Sequence, residues 1–456
     1  MVQLRASSQG VWRSRWTFIT AATGATVGLG NLWKFSYLAG ANGGGAFVLV
    51  YIGFVLLVAV PIMIAEVVLG SRGRANPVSA MTDLSIEAGV SRVWQVVGWL
   101  GCGAGLLILS YYSVIAGMGA AYVGKVFSGE FRAGSAQLAG DQFSALLADP
   151  LGLLSWQMGF LLVVAVVVAA GIRRGVAMLV RVAVPTLLIL LVVLVIYSAR
   201  MGDFSAALEF LFKPNFDALT GRGVLVALGH AFFTLSIGVG TMMAYGAYVP
   251  DRRSIVGMVA TVALLDTVVA LLAGLAIFPL VFSLNIAPGM GPGLMFVALP
   301  YAFGNIAYGD YYGAAFFVVV SLTALSSGIA LLEPATAWLC ERYGWWRPLS
   351  AFTMVIVVGL LGIMSTLSFN VWSHVQWLHL SLFGLVDFLS ANILLPVGAL
   401  LIAVFVGWSM RREAVRDEVY VESESLFSLW YWLLRYIAGP AVVVIAVFSF
   451  LRRWFM

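Results

Sequence analysis

The chain has 456 residues, 62% hydrophobic and only 10% charged, with a formal net charge of +5 and a mean hydropathy of +1.01. A soluble domain of this length needs far more polar surface, so the class is an all-α polytopic membrane protein, with the lipid bilayer as solvent. Long continuous apolar runs exclude a β-barrel, whose strands alternate, and arginines in short loops supply the positive charge, so no nucleic acid partner is expected.

Residues 1–16, with Arg5, Arg13 and Arg15, read as a cytoplasmic N-terminal segment before a retained first helix, since no small-residue cleavage site follows. Eleven apolar runs of about 20 residues or more can each span a bilayer. They lie near 17–39, 45–70, 94–124, 153–171, 176–199, 223–249, 254–283, 312–340, 348–368, 381–409 and 428–451. The runs at 94–124, 254–283 and 312–340 exceed one bilayer thickness, so tilt or projection is expected.

The first run contains Gly24-Ala25-Thr26-Val27-Gly28-Leu29-Gly30-Asn31. Each glycine weakens a helix by about 1 kcal/mol relative to alanine. Backbone broken at mid-membrane must find partners in protein, water or a bound ion. The sixth run repeats the pattern in Phe232-Phe233-Thr234-Leu235-Ser236-Ile237-Gly238-Val239-Gly240. The two breaks are five spans apart, which suggests two five-helix halves, 17–199 and 223–409, inverted because the repeat is odd. Paired interruptions of this kind point to a transport site.

The Pro- and Gly-rich stretch 284–311, with Pro288, Pro292 and Pro300, is expected to form a hydrophobic re-entrant or capping loop on the outer face. Residues 410–427 read as a cytoplasmic loop and 428–456 as the eleventh helix. Cys102 and Cys340 read as small buried hydrophobes. Arg72, Arg74, Arg92, Arg173, Arg174, Arg252, Arg253, Arg342, Arg347, Arg411, Arg412 and Arg416 fall on the side of the N-terminus. The other side holds Lys125, Arg132, Arg200, Lys213 and Arg222, offset by Glu130, Asp141, Asp149, Asp203, Glu209 and Asp217. The positive-inside rule puts the N-terminus in the cytoplasm, in the inner (plasma) membrane. Arg452 and Arg453 run against this count.

The motifs Gly28-Leu29-Gly30-Asn31-Leu32-Trp33-Lys34-Phe35, Asn42-Gly43-Gly44-Gly45-Ala46-Phe47, Pro61-Ile62-Met63-Ile64-Ala65-Glu66, Tyr111-Tyr112, Tyr245-Gly246-Ala247-Tyr248 and Ser326-Ser327, with the Phe232–Ser236 stretch, closely resemble the neurotransmitter:sodium symporter family, in its bacterial amino acid transporter branch. The resemblance implies a LeuT-like 5+5 inverted repeat of about eleven transmembrane helices, with helices 1 and 6 broken at mid-membrane. It implies two sodium sites. The first uses the Thr26 carbonyl, Asn31, Thr234 and Asp266, where the family often has Asn. The second uses the carbonyls of Gly24, Val27 and Thr323 and the hydroxyls of Ser326 and Ser327.

Chloride-dependent members bind the anion beside the first sodium. This chain keeps Tyr51 but has His230 for Gln and Ala270 for Ser. Asp266 is therefore expected to supply the negative charge, without chloride. His230 either pairs with Asp266, allowing proton counter-transport, or is a neutral packing residue.

The resemblance places an α-amino acid between the breaks. The unwound segment of Ala25, Thr26, Gly28, Leu29 and Gly30, with Tyr112, binds the carboxylate. The carbonyls of Phe233, Thr234 and Ser236 face the amine. Ile108, Phe233, Val239, Ser327 and Leu331 form the side-chain pocket. A pocket with no charged wall leaves a charged substrate unpaired, so a neutral, apolar L-amino acid is expected; the alternative is a non-α amino acid or osmolyte such as GABA, taurine or betaine.

Lys34 and Asp387 are the expected outer gate above Phe233 and Tyr112. At the inner gate the family's Arg position is Gln9, so Arg5 or Arg13 is left to pair with Glu341, beside Tyr248. Glu341 could equally be an ordinary interfacial charge. Glu66 is expected to support the broken backbone of span 6, and Glu333 is a second acid within the membrane. An intramembrane enzyme is disfavoured, because His230, His374 and His379 share no ligand-like spacing with acids on one span.

Overall fold

The structure, a computed structural model, describes residues 11–250, 254–286, 293–421 and 423–455. Among these, nine continuous helices are long and apolar enough to cross a membrane: Gly45–Gly73, Arg92–Phe127, Pro150–Ala169, Ile172–Met201, Ile255–Ser283, Gly309–Tyr343, Arg347–Leu367, Leu382–Ser409 and Glu424–Phe448. Two more are interrupted. Arg15–Thr26 resumes as Gly30–Lys34 and Phe35–Ala41, and Gly221–Thr234 resumes as Thr241–Gly246. In chain order these are spans 1 to 11, with the broken helices first and sixth, each opening a group of five.

Short polar side chains in the loops set where the spans begin. Ser14, Asp149, Thr220, Ser254, Ser381 and Ser423 each accept a backbone N–H at the start of spans 1, 4, 6, 7, 10 and 11. Among the nine continuous spans, 3 and 8 are the most enclosed, and small residues let them approach the centre closely. Gly105 of span 3 faces the Leu331 carbonyl of span 8, and Gly101 faces the backbone of Gly240. Span 5 lies at the rim, with Met178, Val182, Ile189 and Ile196 exposed, as a lipid-facing helix requires.

Short helices connect the spans: Pro77–Glu87, Ala136–Ala148, Phe204–Phe212 and Arg412–Val419, with a two-residue hairpin of Gln376–Trp377 against Leu380–Ser381. Within the 284–311 stretch, Leu294–Ala298 and Leu299–Gly304 fold back onto the bundle. There Phe296 packs against Tyr122, Phe143 and Phe317, and the Gly304 carbonyl accepts the Ala133 N–H at 2.9 Å. Pro288, Pro292, Arg5, Gln9, Arg252 and Arg253 lie outside the described residues.

Candidate functional site

The site begins with the two breaks. Span 1 loses its helix after Thr26, where Val27 turns to φ −66°, ψ 95°, and winding resumes at Gly30. The amides and carbonyls in between are released from the helical ladder. In span 6, Ser236, Gly238 and Gly240 take φ of 50°, 80° and 75°. Glycine adopts this region without steric cost; Ser236 is held there by its surroundings. Glu66 of span 2 accepts the Gly238 N–H at 2.9 Å, with the amides of Gly240, Met242 and Met243 close by. A buried carboxylate thus replaces the helix bonds that the break removed.

Three side chains meet beside the break in span 1. Asn31 Oδ1 accepts the Gly28 N–H at 3.0 Å, while Nδ2 donates to the Thr234 hydroxyl at 3.0 Å and to the Asp266 carbonyl at 3.2 Å. The Thr234 hydroxyl donates to Asp266 Oδ2 at 2.8 Å, and Thr26 is close to the same carboxylate. Asp266 Oδ1 is buried with no hydrogen-bond partner. A lone carboxylate oxygen among amide, hydroxyl and carbonyl oxygens suits a small hard cation, since a buried charge needs a partner.

A second oxygen cluster lies between spans 1 and 8. The Ser327 hydroxyl donates toward the carbonyls of Val27, at 3.1 Å, and Gly24, at 3.4 Å. The Ser326 hydroxyl donates to the Thr323 carbonyl at 3.0 Å. These neutral oxygens also fit a monovalent hard cation.

A cavity of about 40 Å³ separates the two breaks. It is lined by Ala25, Thr26, Gly28, Leu29, Gly30, Ile108, Tyr112, Phe233, Thr234, Ser236, Val239, Ser327 and Leu331, the full set assigned to the substrate from the sequence. Asn31, Thr241, Ala330 and Leu395 complete the lining. Of these, the sequence assigns only Asn31 to the site, as an ion ligand. Thr241 follows Gly240 at the break and could have been found by that position; Leu395 gives no such signal. The Leu29 N–H donates to the Tyr112 hydroxyl at 3.3 Å, and the Ser236 hydroxyl donates to the Ala25 carbonyl at 3.4 Å. No charged side chain lines the cavity among the described residues.

One expected pairing is corrected. Lys34 and Asp387 line a wide cavity of about 680 Å³ on the far side of Phe233, and no ion pair joins them among the described residues. Lys34 Nζ instead stands 4.2 Å from the centre of the Phe233 ring. A solvated ion pair gains only about 0–1 kcal/mol, too little to draw spans 1 and 10 together across that opening.

Of the two readings open for His230, the geometry fits packing rather than a pair with Asp266. Both its ring nitrogens are buried without partners, and its ring packs against Phe35 and Tyr51, at centroid separations of 6.0 and 5.3 Å. Asp266 is instead engaged by Thr234, one helical turn further along span 6. The direct pair that would have exchanged a proton is absent from this geometry.

Arg5, one of the two expected partners of Glu341, lies outside the described residues, and Glu341 holds the start of a connecting helix. It accepts the Asn76 N–H at 2.9 Å and the Asn76 side-chain amide at 2.6 Å, at the entry to Pro77–Glu87. The Tyr248 hydroxyl donates to Glu333 at 3.0 Å, Glu333 pairs with Arg347, and Arg347 Nε donates to the Val168 carbonyl at 2.8 Å. Glu333 lies eight residues before Glu341, nearer mid-span, where Tyr248 reaches it. Trp12 covers this side, donating its N–H to the Tyr248 carbonyl at 2.8 Å and Nε1 to the Tyr245 carbonyl at 3.1 Å. Arg13 is exposed.

Two helices broken at matching places, with oxygen clusters at the breaks and an enclosed cavity between them, define a membrane carrier whose ion and solute sites share unwound backbone. The chain belongs to the sodium:neurotransmitter symporter family, whose model matches residues 9–137 and 142–454. It is 35% identical over 437 residues to the uncharacterised sodium-dependent transporter YhdH of Bacillus subtilis, covering 95% of this chain and 96% of that one. It is 24% identical over 381 residues to the sodium- and chloride-dependent GABA transporter 2 of Homo sapiens, covering 74% of this chain and 62% of that one. Among solved structures it is similar to MhsT in complex with L-phenylalanine, with 39% identity and a TM-score of 0.88, covering 97% of this chain and all of that one. The protein is a multi-pass, sodium-dependent symporter of the LeuT-like fold, and not an enzyme.

Proposed function

We propose that the protein imports a neutral, apolar L-amino acid together with sodium by alternating access, with Trp12 on the cytoplasmic side. The observation that carries this reading is the lining of the small cavity. One end offers the freed amides of the first break and the Tyr112 hydroxyl; the other is Ile108, Val239, Ala330, Leu331 and Leu395. The first end suits an α-carboxylate and the second an uncharged side chain. The L-phenylalanine in the complex with MhsT is consistent with both.

Two sodium ions are assigned to the oxygen clusters, one at Thr26, Asn31, Thr234 and Asp266 and one at Gly24, Val27, Thr323, Ser326 and Ser327. The substrate carboxylate lies next to the first ion, so each strengthens the binding of the other. Asp266 supplies a fixed negative charge there, which makes chloride unnecessary.

Calorimetry on the purified protein with the proteinogenic amino acids, GABA and betaine, with and without sodium, tests this. Neutral apolar L-amino acids are expected to bind only with sodium. Stranding an unpaired polar group in such a pocket costs about 2–4 kcal/mol, so charged amino acids should bind at least about thirtyfold more weakly. Preferential binding of GABA, betaine or a charged amino acid would overturn the assignment.

A further inference from the structure

Span 8 contains Pro334. Proline has no N–H, so the carbonyl four residues earlier, that of Ala330, loses its helical donor. The Thr241 hydroxyl, at the start of the second segment of span 6, donates to this carbonyl at 3.0 Å. Thr241 and Ala330 both line the central cavity, and both are nearly inaccessible to solvent. The residue before the proline, Glu333, accepts the Tyr248 hydroxyl and pairs with Arg347 on the N-terminal side. Tyr248 lies seven residues after Thr241. Two side-chain links therefore join span 6 to the turn of span 8 around Pro334, one at the wall of the cavity and one at the closed side.

We propose that Thr241 is a positioning residue: through the carbonyl that Pro334 leaves free, it transmits occupancy of the cavity to the Tyr248–Glu333–Arg347 cluster that holds the N-terminal side shut. A solute pressing on Ala330 and Thr241 shifts the turn of span 8 in which Pro334 removes a helix bond, and Glu333 moves with it because Pro334 directly follows. This rests on the assignment of the cavity as the substrate site.

The experiment uses the full chain in detergent and in proteoliposomes, with sodium and with L-phenylalanine and L-leucine as probes. Thr241→Val keeps the shape and removes the hydroxyl. Its substrate affinity is expected to stay within about threefold of wild type while maximal uptake falls about tenfold, as loss of a coupling contact predicts. The substrate-dependent change in amide hydrogen exchange over 241–249 and 330–343 should disappear with it. Thr241→Ser should restore both. In Pro334→Ala the Ala330 carbonyl regains a helical donor, so adding Thr241→Val should then have little further effect.

Wild-type uptake and exchange in Thr241→Val would overturn the coupling alone. So would equal losses of affinity and rate, or a penalty for Thr241→Val undiminished in the Pro334→Ala background. Should that background fail to fold, the affinity-against-rate split and the serine rescue decide the question. A wild-type protein that binds neither probe would overturn the substrate assignment and the coupling together.

Discussion

Replacing Gly70 by alanine abolishes transport, whereas Gly53→Ala leaves it unchanged. A Cβ at Gly70 would stand 1.9 Å from the Met243 carbonyl oxygen, 2.7 Å from its carbon and 2.9 Å from its Cα. All three atoms are backbone, so no side-chain rotation relieves the clash. On the facing helix, a Cβ at Gly246 would lie 2.7 Å from the Val67 oxygen. Spans 2 and 6 therefore touch backbone to backbone along the short segment Thr241–Gly246. Overpacking costs about 1–3 kcal/mol in general and more where nothing can yield. The larger consequence is positional. Pushing the segment away also draws Gly238 off the Glu66 carboxylate, and a shift on the order of 1 Å at a positioned site lowers rates about a hundredfold. Gly53 also lies in span 2, but a Cβ there meets nothing within 4 Å. Uptake normalised to membrane expression decides between them; full uptake by Gly70→Ala at equal expression would refute the argument.

The spans were legible because lipid imposes a coarse demand, a run of about 20 apolar residues, and the breaks because glycine clusters are rare where helix is most needed. The Gly24–Gly30 and Ser236–Gly240 stretches did open, and the structure gathers around them the residues that the motifs named. Pairings between distant charges were not legible. The resemblance named Glu341 for the closed side, and two turns earlier on span 8 Glu333 meets Tyr248 and Arg347, which no motif marks. For His230 the sequence left a pair with Asp266 and a neutral packing role equally open. The choice depends on a difference of one turn between positions 230 and 234, finer than hydropathy can fix. Gly70 carried no distinguishing mark either: nothing in the run from Gly45 to Gly73 says which glycine meets another backbone. The short connecting helices were invisible because their amphipathic character needs only a few residues.

Asp266→Asn is expected to weaken sodium coupling more than any other isosteric change in the protein. The substitution keeps an oxygen that can accept from Thr234, so the Asn31–Thr234–Asp266 arrangement should persist while its charge disappears. A unit charge 4 Å from a cation is worth about 4 kcal/mol at an effective dielectric constant of 20. Even half of that lowers apparent sodium affinity about thirtyfold. Chloride alone should not restore it. Ala270 offers no donor, and the His230 nitrogens, though unpartnered, belong to a ring fixed between Phe35 and Tyr51. Adding Ala270→Ser and His230→Gln supplies a hydroxyl and an amide near the Tyr51 hydroxyl, itself buried without a partner. In that triple variant chloride should raise the apparent sodium affinity, while gluconate should not. The measurement is a sodium titration of substrate binding in each anion. The negative charge beside the first ion is then a requirement of the site that a fixed carboxylate or a bound anion can meet. Unchanged sodium affinity in Asp266→Asn would show instead that the carboxylate is carried protonated, and that its lone oxygen faces no cation during transport.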